Sequence, residues 1–350
     1  MNTLSLDLAP ITRHLRSKAG SHLLVAAVHH LNVLEELIKG PLSIFELQQK
    51  LALKERPAMV LFPALCAMHI LQINEEKKVQ LTEMGRYLTS DYPVNLIGYS
   101  GLESQDPGVL KITQWLKNDG PENPHEGLSY VKDDASTSPM DDPESARFFT
   151  LALAGRARYL APIVAENITR RKGHLLDVAG GTGYYTYEWL MANPGSTATL
   201  FDRPEVLKTA GKLLDDFCTD ERAGTDTLKD RVYFVPGDMF TDELPPADIV
   251  LAASLFHDWP TATCQLLAKR FAAALKPGGS LWIHDAFLND LLDGPIAITD
   301  YSAMLFLATK GRAYSRQEYR QWFVAAGLVP CLDEIPTLMD YGLISADKPA

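Results

Sequence analysis

The first residues that could do chemistry form a glycine turn after an apolar strand that is predicted to end at Val178. The turn contains Gly180, Gly181 and Gly183. Such glycines can adopt positive φ and let a ligand approach the backbone closely. A second short apolar strand, at 198–202, ends on Asp202, which is placed to accept hydrogen bonds from a ribose diol. The pattern indicates a nucleotide-type cofactor, although the G-x-G-x-x-G of dinucleotide-binding proteins is absent.

Three later apolar segments are predicted to be strands that end on polar residues. One starts at Val232 and precedes Asp238 and Met239, a carboxylate and an apolar side chain that suit the edge and face of an adenine. The next two end on His257 and on Asp285. Because open α/β sheets bind ligands at the carboxyl ends of their strands, we expect these side chains to share one site.

The order and content of these segments resemble the S-adenosylmethionine-dependent O-methyltransferases of the plant caffeate and hydroxyindole type, with their bacterial relatives. Residues 177–183 match the glycine motif of that family, with Ala179 where another glycine is usual. Segments 201–204, 237–240 and 256–260 resemble its ribose-binding, adenine-binding and catalytic His-Asp-Trp segments. The resemblance covers most of the chain.

The resemblance implies an α/β fold, in which a mostly helical winged-helix dimerisation domain precedes a Rossmann-like class I methyltransferase sheet. It implies a dimerisation domain at 1–90, a linker, lid and substrate-chamber helices at 91–170, and the cofactor-binding catalytic domain at 171–350. Within the first domain, periodicity predicts a long helix over 21–38. Ser43 and Glu46 have the spacing of a capping box, and a further helix and a hairpin follow.

Charge argues against nucleic acid as the partner of this winged helix. Residues 1–90 hold ten Lys and Arg against eight Asp and Glu, with no basic stripe, and the chain as a whole carries −11. In the family the domain pairs two subunits instead. We therefore expect a homodimer, with the apolar run 23–28 supplying the contact.

Composition is typical of a globular protein, with 46% hydrophobic and 22% charged residues. The four cysteines are widely separated and form no C-x-x-C pair, which favours a reduced, cytoplasmic setting. The amino terminus lacks a basic signal region, and no uncharged apolar run approaches the roughly 18 residues that span a bilayer. We expect no membrane partner. The segment from about 92 to 144 is rich in Pro, Gly, Asp and Ser, includes the stretch 118–127, and is predicted to be a linker and lid.

The resemblance implies that the cofactor is S-adenosylmethionine, with S-adenosylhomocysteine as its product. The residues expected to bind it are Asp177, Gly180, Gly181, Gly183, Asp202, Arg203, Asp238, Met239 and Ser254.

Methyl transfer to a phenol needs an acceptor oxygen held in line with the sulfonium methyl and relieved of its proton. An imidazole can take that proton, so His257 is the candidate base and Asp285 its orienting partner. The family places a glutamate at each of two positions beside the histidine. Here Asp285 occupies the first and Ala313 the second, while Ala253 replaces a frequent Lys or Arg. These departures leave open a carbon or nitrogen acceptor, or a relative that keeps the cofactor as a ligand sensor or for another reaction.

A flat apolar chamber is expected to hold the small aromatic substrate, although each of its residues could equally belong to the core. The candidates are Phe149, Phe256, Tyr301, Met304, Phe306 and Tyr314. No metal is expected, because the adjacent strand residues His284 and Asp285 face opposite ways and cannot easily converge on one ion.

Overall fold

The computed structural model describes residues 6–121, 138–168, 172–219, 224–225 and 227–350. Residues 122–137 of the predicted linker and lid segment lie outside these ranges. By contacts the chain divides into two compact units, which differ from the three predicted segments. Unit 1 comprises 1–128 and 287–316, and unit 2 comprises 129–286 and 317–350.

The first part of unit 1 is mostly helical. Its elements are α1 (Ala9–His29), α2 (Val33–Leu37), α3 (Ile44–Leu51), α4 (Glu55–Ala67), β1 (Leu71–Ile73), β2 (Val79–Leu81), α5 (Glu83–Arg86), α6 (Ile97–Ser100) and α7 (Pro107–Asn118). The predicted capping box is confirmed, since Ser43 and Glu46 cap α3 reciprocally. The helix predicted over 21–38 instead starts earlier and is broken, because Asn32 adopts a left-handed conformation between α1 and α2.

The apolar run 23–28 lies in the core of unit 1, so the prediction that it supplies a subunit contact is wrong. Leu23, Ala26 and Ala27 are completely buried within the chain itself. Their partners in this core come from α4 and α7 among other elements. The exposed apolar side chains of α1 lie nearer its start, at Ile11 and Leu15.

Unit 2 alternates helices and strands. Its elements up to residue 286 are α8 (Pro143–Ile168), β3 (His174–Val178), α9 (Tyr184–Ala192), β4 (Thr197–Asp202), α10 (Pro204–Cys218), β5 (Val232–Pro236), β6 (Ala247–Ala253), α11 (Thr261–Ala274) and β7 (Leu275–Asp285). Helix α8 is long and apolar enough to cross a membrane by length and composition alone, a test that core helices of soluble proteins also pass. It contacts α9 and α10.

The rest of the chain completes both units. It contains β8 (Phe287–Leu288), α12 (Ile296–Phe306), β9 (Tyr314–Ser315), α13 (Arg316–Ala325), β10 (Val329–Pro330), β11 (Ile335–Pro336) and β12 (Gly342–Asp347). Helix α12 packs on α1 and α4 in unit 1.

The sheet of unit 2 has the order β10-β12-β7-β6-β3-β4-β5, with β11 paired to β12. Strands β3 to β7 run parallel, and β12 joins β7 antiparallel. The chain leaves β3 first toward β4 and later returns to add β6 on the other side. Such a reversal opens a crevice at the carboxyl ends of the strands, where ligands of doubly wound sheets bind. The predicted Rossmann-like α/β fold is confirmed.

Candidate active site

The glycine turn leaves β3 at this reversal point. Its backbone uses left-handed conformations, with φ of +54° at Ala179, +58° at Gly181 and +77° at Gly183. A side chain at Gly180 would collide with Leu200 and with the carboxylate of Asp177. The turn therefore favours glycine at 180, 181 and 183, where it exposes bare backbone to the crevice, while Ala179 tolerates its left-handed conformation.

A cavity of about 210 Å³ lies over the turn within unit 2. Seven of the nine predicted cofactor residues form part of its wall: Gly180, Gly181, Asp202, Arg203, Asp238, Met239 and Ser254. Asp177 and Gly183 lie behind the wall, where Asp177 is completely buried. Helix α8 contributes Phe149, Thr150 and Leu153 to the wall.

Two carboxylates lie next to the turn, and one of them bonds directly to it. The Asp202 side chain accepts backbone hydrogen bonds from Gly181 at 2.8 Å and from Arg203 at 2.7 Å. The Asp177 side chain accepts a hydrogen bond from the side-chain hydroxyl of Thr186 on α9 at 2.7 Å. Burial raises the pKa of Asp202 to about 6 and, with a smaller contribution from Asp202 itself, that of Asp177 to about 7.

Asp238 is linked to the Asp202 region through Arg203. The Arg203 Nη1 lies 3.1 Å from Asp238 Oδ2, and its Nε donates to Asp141 Oδ1 at 2.7 Å. Asp141 belongs to the short turn before α8, and Ser138 and Met140 of that turn also line the cavity. Arg203 therefore ties the start of α8 to the predicted adenine segment.

Several buried polar atoms around the cavity have no protein partner among the described residues. They include the hydroxyls of Thr150 and Ser254, both on the wall, and Asp177 Oδ1. Ser254 is held in a left-handed conformation, with φ of +54°. Since buried polar groups are normally hydrogen-bonded, this wall fits a polar ligand such as the amino acid and ribose parts of S-adenosylmethionine.

The predicted catalytic pair is formed. His257 follows β6, Asp285 ends β7, and His257 Nδ1 lies 2.5 Å from Asp285 Oδ1. Both side chains are almost completely buried, and His257 Nε2 lies 3.6 Å from Asp258 Oδ1. Asp258 lines the cavity, whereas His257 stands behind it.

The protonation of this pair follows from its charges. Burial favours a neutral imidazole, but the carboxylates of Asp285 and Asp258 outweigh it and raise the pKa of His257 to about 9. Burial also opposes the charge of Asp285, yet His257 and three hydrogen bonds keep its pKa below the usual value. Asp285 is therefore a carboxylate that holds the His257 Nδ1 proton.

Sequence reasoning missed Tyr319 on α13. Its hydroxyl donates to Asp285 Oδ2 at 2.9 Å, and the side chain is completely buried. A tyrosine on an amphipathic helix is a common core residue, so the sequence carries no signal for this contact across 34 positions.

His284, next to Asp285 in the chain, contacts other residues than the His257–Asp285 pair. Its Nε2 lies 3.0 Å from the Thr337 hydroxyl, and its ring stacks on Tyr341. Burial lowers the pKa of His284 to about 3, so the ring is neutral. Within the described ranges no group of three or more His, Cys, Asp or Glu side chains has the arrangement of a metal site.

The predicted chamber residues lie in different places. Phe149 lines the cavity. Phe256 does not; it is completely buried against Phe271, Tyr319 and Trp322 as a core residue.

The remaining chamber residues belong to unit 1. Tyr301 lies under the Arg16 guanidinium, Phe306 packs edge-on against Trp115, Tyr314 is buried in β9, and Met304 is exposed on α12. Ala313 is buried there too, with its N–H donating to the Ser302 hydroxyl at 3.2 Å. Ala253 lines the cavity of unit 2.

Comparison with known proteins places the chain in a family. Residues 139–329 match the family model of the O-methyltransferase domain. A structure of an O-methyltransferase family 2 protein from Planctomyces limnophilus, in complex with apigenin, is 37% identical. The match covers 98% of this chain and 97% of that one, with a TM-score of 0.85.

The chain belongs to the O-methyltransferase family. The resemblance expected from the sequence is thus confirmed, and the protein is an S-adenosylmethionine-dependent methyltransferase. The 3-hydroxy-5-methyl-1-naphthoate 3-O-methyltransferase of Streptomyces sahachiroi is 27% identical over 309 residues, 84% of this chain and 81% of that protein. Human N-acetylserotonin methyltransferase, solved with S-adenosylmethionine, is 22% identical over the full length of both chains, with a TM-score of 0.52, and shares the fold.

Proposed function

We propose that this O-methyltransferase methylates a hydroxyl group of a small, flat aromatic molecule, with His257 as the general base. The observation that carries the proposal is the buried pair of His257 and Asp285 at the end of the cofactor sheet, with Nδ1 bound to the carboxylate and Nε2 directed toward the side of Asp258. In this arrangement Nε2 is the nitrogen left to accept a proton. One relative is named for methylating a hydroxynaphthoate, and another was solved with apigenin.

The residues of the cavity fit S-adenosylmethionine. Asp202 would accept the ribose hydroxyls, Asp238 and Met239 would face the adenine, and the glycine turn would pass beneath the amino acid part. The free hydroxyl oxygens of Ser254 and Thr150 supply polar contacts that the protein alone leaves unmade. The bound cofactor supplies an electrophilic methyl group, so the protein needs only to position the acceptor and remove its proton.

Proton removal depends on the charge of His257. A base must be neutral before it acts, and the raised pKa of His257 means that only a minority of molecules meet this condition at neutral pH. In return, the carboxylate that raises the pKa also stabilises the imidazolium formed during transfer. The same pair therefore limits activity at low pH and favours the step itself.

The acceptor class can be tested directly. We would incubate the protein with S-adenosylmethionine carrying a labelled methyl group and with apigenin or a hydroxynaphthoate, and locate the methyl group by mass spectrometry and NMR. Methylation at oxygen, abolished by blocking that hydroxyl, is the expected result. Transfer to carbon or nitrogen, or no transfer to any hydroxylated aromatic, would contradict the proposal.

The quaternary proposal is a homodimer built through the N-terminal winged-helix-like part of the chain. It is supported by the helix, helix and hairpin order of α3, α4, β1 and β2. The exposed apolar side chains of Ile11 and Leu15, 58% and 73% exposed, offer a surface that a partner would cover.

The setting we propose is cytoplasmic, in keeping with four cysteines that are all free thiols. No nucleic acid or membrane partner is proposed.

A further inference from the structure

Tyr319 completes the set of donors around Asp285. The carboxylate is completely buried, and its Oδ1 accepts from His257 Nδ1 at 2.5 Å and from the Ala286 N–H at 2.8 Å. Its Oδ2 accepts from the Tyr319 hydroxyl at 2.9 Å. Among the contacts described within unit 2, Tyr319 is the side chain that fixes the second oxygen.

The tyrosine ring is itself held firmly. Tyr319 packs against Phe256 at 5.4 Å, Trp322 at 5.0 Å and Phe323 at 6.4 Å between ring centroids. Such an aromatic cluster restricts the ring. The direction of the hydroxyl is therefore set by the core, and the hydroxyl in turn sets the rotation of the carboxylate.

We propose that Tyr319 is a positioning residue for the methyl-transfer reaction, which acts by holding Asp285 in the orientation that directs His257. The inference rests on the proposed role of His257 as base. Tyr319 is then a neutral phenolic hydrogen-bond donor to Asp285, whose side chain is shorter than the glutamate usual in the family. The second position at which the family has a glutamate is occupied by Ala313 in this chain.

The hydrogen bond also controls charge. A donor on Oδ2 draws negative charge away from Oδ1, which weakens the attraction between Asp285 and the imidazolium of His257. The other titratable groups that act on the pair within unit 2 are Asp258 and Tyr341 at His257, and Tyr185 and His284 beside Asp285. Tyr319→Phe leaves all four in place. The variant should therefore raise the pKa of His257 further while loosening its orientation.

The first test measures His257 without any turnover. The protein labelled with ¹⁵N-histidine would be titrated by NMR, with the His257 signal assigned through its loss in His257→Ala. Tyr319→Phe should move the titration midpoint upward by several tenths of a pH unit. An unchanged midpoint would overturn the proposal. Because this readout needs no acceptor, it stays valid even where the proposed oxygen methylation fails.

The second test uses turnover on the acceptor identified above. Tyr319→Phe should reduce kcat by about tenfold, the size of one hydrogen bond to a charged group, with the Kd of the cofactor unchanged. In an Asp285→Asn background the same substitution should cost almost nothing, because Tyr319 acts through the carboxylate. Equal losses of kcat in the wild-type and Asp285→Asn backgrounds would show that Tyr319 has a merely structural role, which would contradict the proposal.

A matched control is available in Tyr187→Phe. Tyr187 is another completely buried tyrosine, and its hydroxyl donates to the backbone carbonyl of Ala210 at 2.9 Å. Tyr187→Phe should lower the free energy of unfolding by about as much as Tyr319→Phe does. It should leave the NMR titration midpoint of His257 unchanged. A comparable shift in the control would mean that any buried hydroxyl in unit 2 affects His257, which would also contradict the proposal.

Discussion

The Gly181 N–H donates to Asp202 Oδ2 across 2.8 Å and so joins the glycine turn after β3 to the carboxylate at the end of β4. Gly181 and Asp202, which were predicted from separate motifs, are therefore directly hydrogen-bonded to each other. A second backbone N–H, from Arg203, binds the other oxygen of Asp202. Each carboxylate oxygen has a further lone pair, so Asp202 can accept two ribose hydroxyls without breaking this support.

Asp202→Ala should weaken binding of S-adenosylmethionine by roughly 1–3 kcal/mol, because a charge-assisted hydrogen bond is lost and the turn loses its anchor. Calorimetry would measure the change, with the exposed Asp216→Ala as the matched control. An unchanged Kd would mean that the ribose lies elsewhere.

The affinity of the wild-type protein should also depend on pH. Burial raises the pKa of Asp202 to about 6, so the carboxylate becomes protonated, and a weaker acceptor, as pH falls through that value. The Kd should therefore be larger at pH 5 than at pH 8, and Asp202→Ala should lose much of this dependence.

Gly237→Ala should destabilise the protein, whereas Gly211→Ala should stabilise it. A Cβ at Gly237 would lie 2.4 Å from the Phe201 ring, which is buried, while nothing lies within 4 Å of the corresponding position at Gly211 inside α10. We expect a loss of about 1–3 kcal/mol in the first case and a gain of about 0.5–1 kcal/mol in the second. Urea unfolding of both variants provides the measurement, and equal effects would refute the packing argument.

Leu15→Glu should convert the proposed homodimer into a monomer. The side chain is exposed on α1 beside Ile11, and a buried carboxylate at a subunit contact would be unfavourable. Light scattering at micromolar concentration gives the mass, and Ser17→Glu, which adds the same charge at another exposed position of α1, is the control. A wild-type monomer would contradict the quaternary proposal.

The strand ends could be predicted from the sequence because each combines an apolar run with a polar residue at its carboxyl end. Asp202 and Asp285 end β4 and β7 as predicted, whereas β6 already ends at Ala253 and His257 lies in the short turn Phe256–Asp258 that follows it. Parallel pairing of neighbouring strands brings such ends to one edge, so the link between His257 and Asp285 follows from topology.

Contacts within the core could not be predicted in the same way. An apolar run such as 23–28 is compatible with a subunit interface or with a core, and only the packing against α4 and α7 decides between them. Phe256 beside His257 faces the aromatic cluster, since consecutive residues point in different directions. Tyr319 reaches Asp285 from a helix whose periodicity indicates only a buried face.

His257→Ala should reduce turnover by about 10²–10⁴ and leave the affinity for S-adenosylmethionine nearly unchanged. The residue is not part of the cavity wall, and the carboxylate that accepts a hydrogen bond from the glycine turn is Asp202. Steady-state kinetics and calorimetry would be run in parallel, with the exposed His14→Ala as a control. Near-normal turnover in His257→Ala would show that the acceptor is already ionised or is not an oxygen.

The value of kcat/KM should rise with pH up to about 9. A general base works only when neutral, and Asp285 with Asp258 raises the pKa of His257 to about 9 despite burial. Below that value the neutral fraction grows about tenfold per pH unit, so the rise should be steep between pH 6 and 8 and flatten above 9. A plateau already reached near pH 7 would contradict the raised pKa.

The substrate could produce a similar rise, because a phenol loses its own proton near pH 10. Asp285→Asn separates the two explanations. It removes the largest charge that raises the pKa of His257, so the midpoint should move to lower pH even as the maximal rate falls. A midpoint that follows the acidity of the acceptor, and ignores Asp285→Asn, would assign the ionisation to the substrate instead of His257.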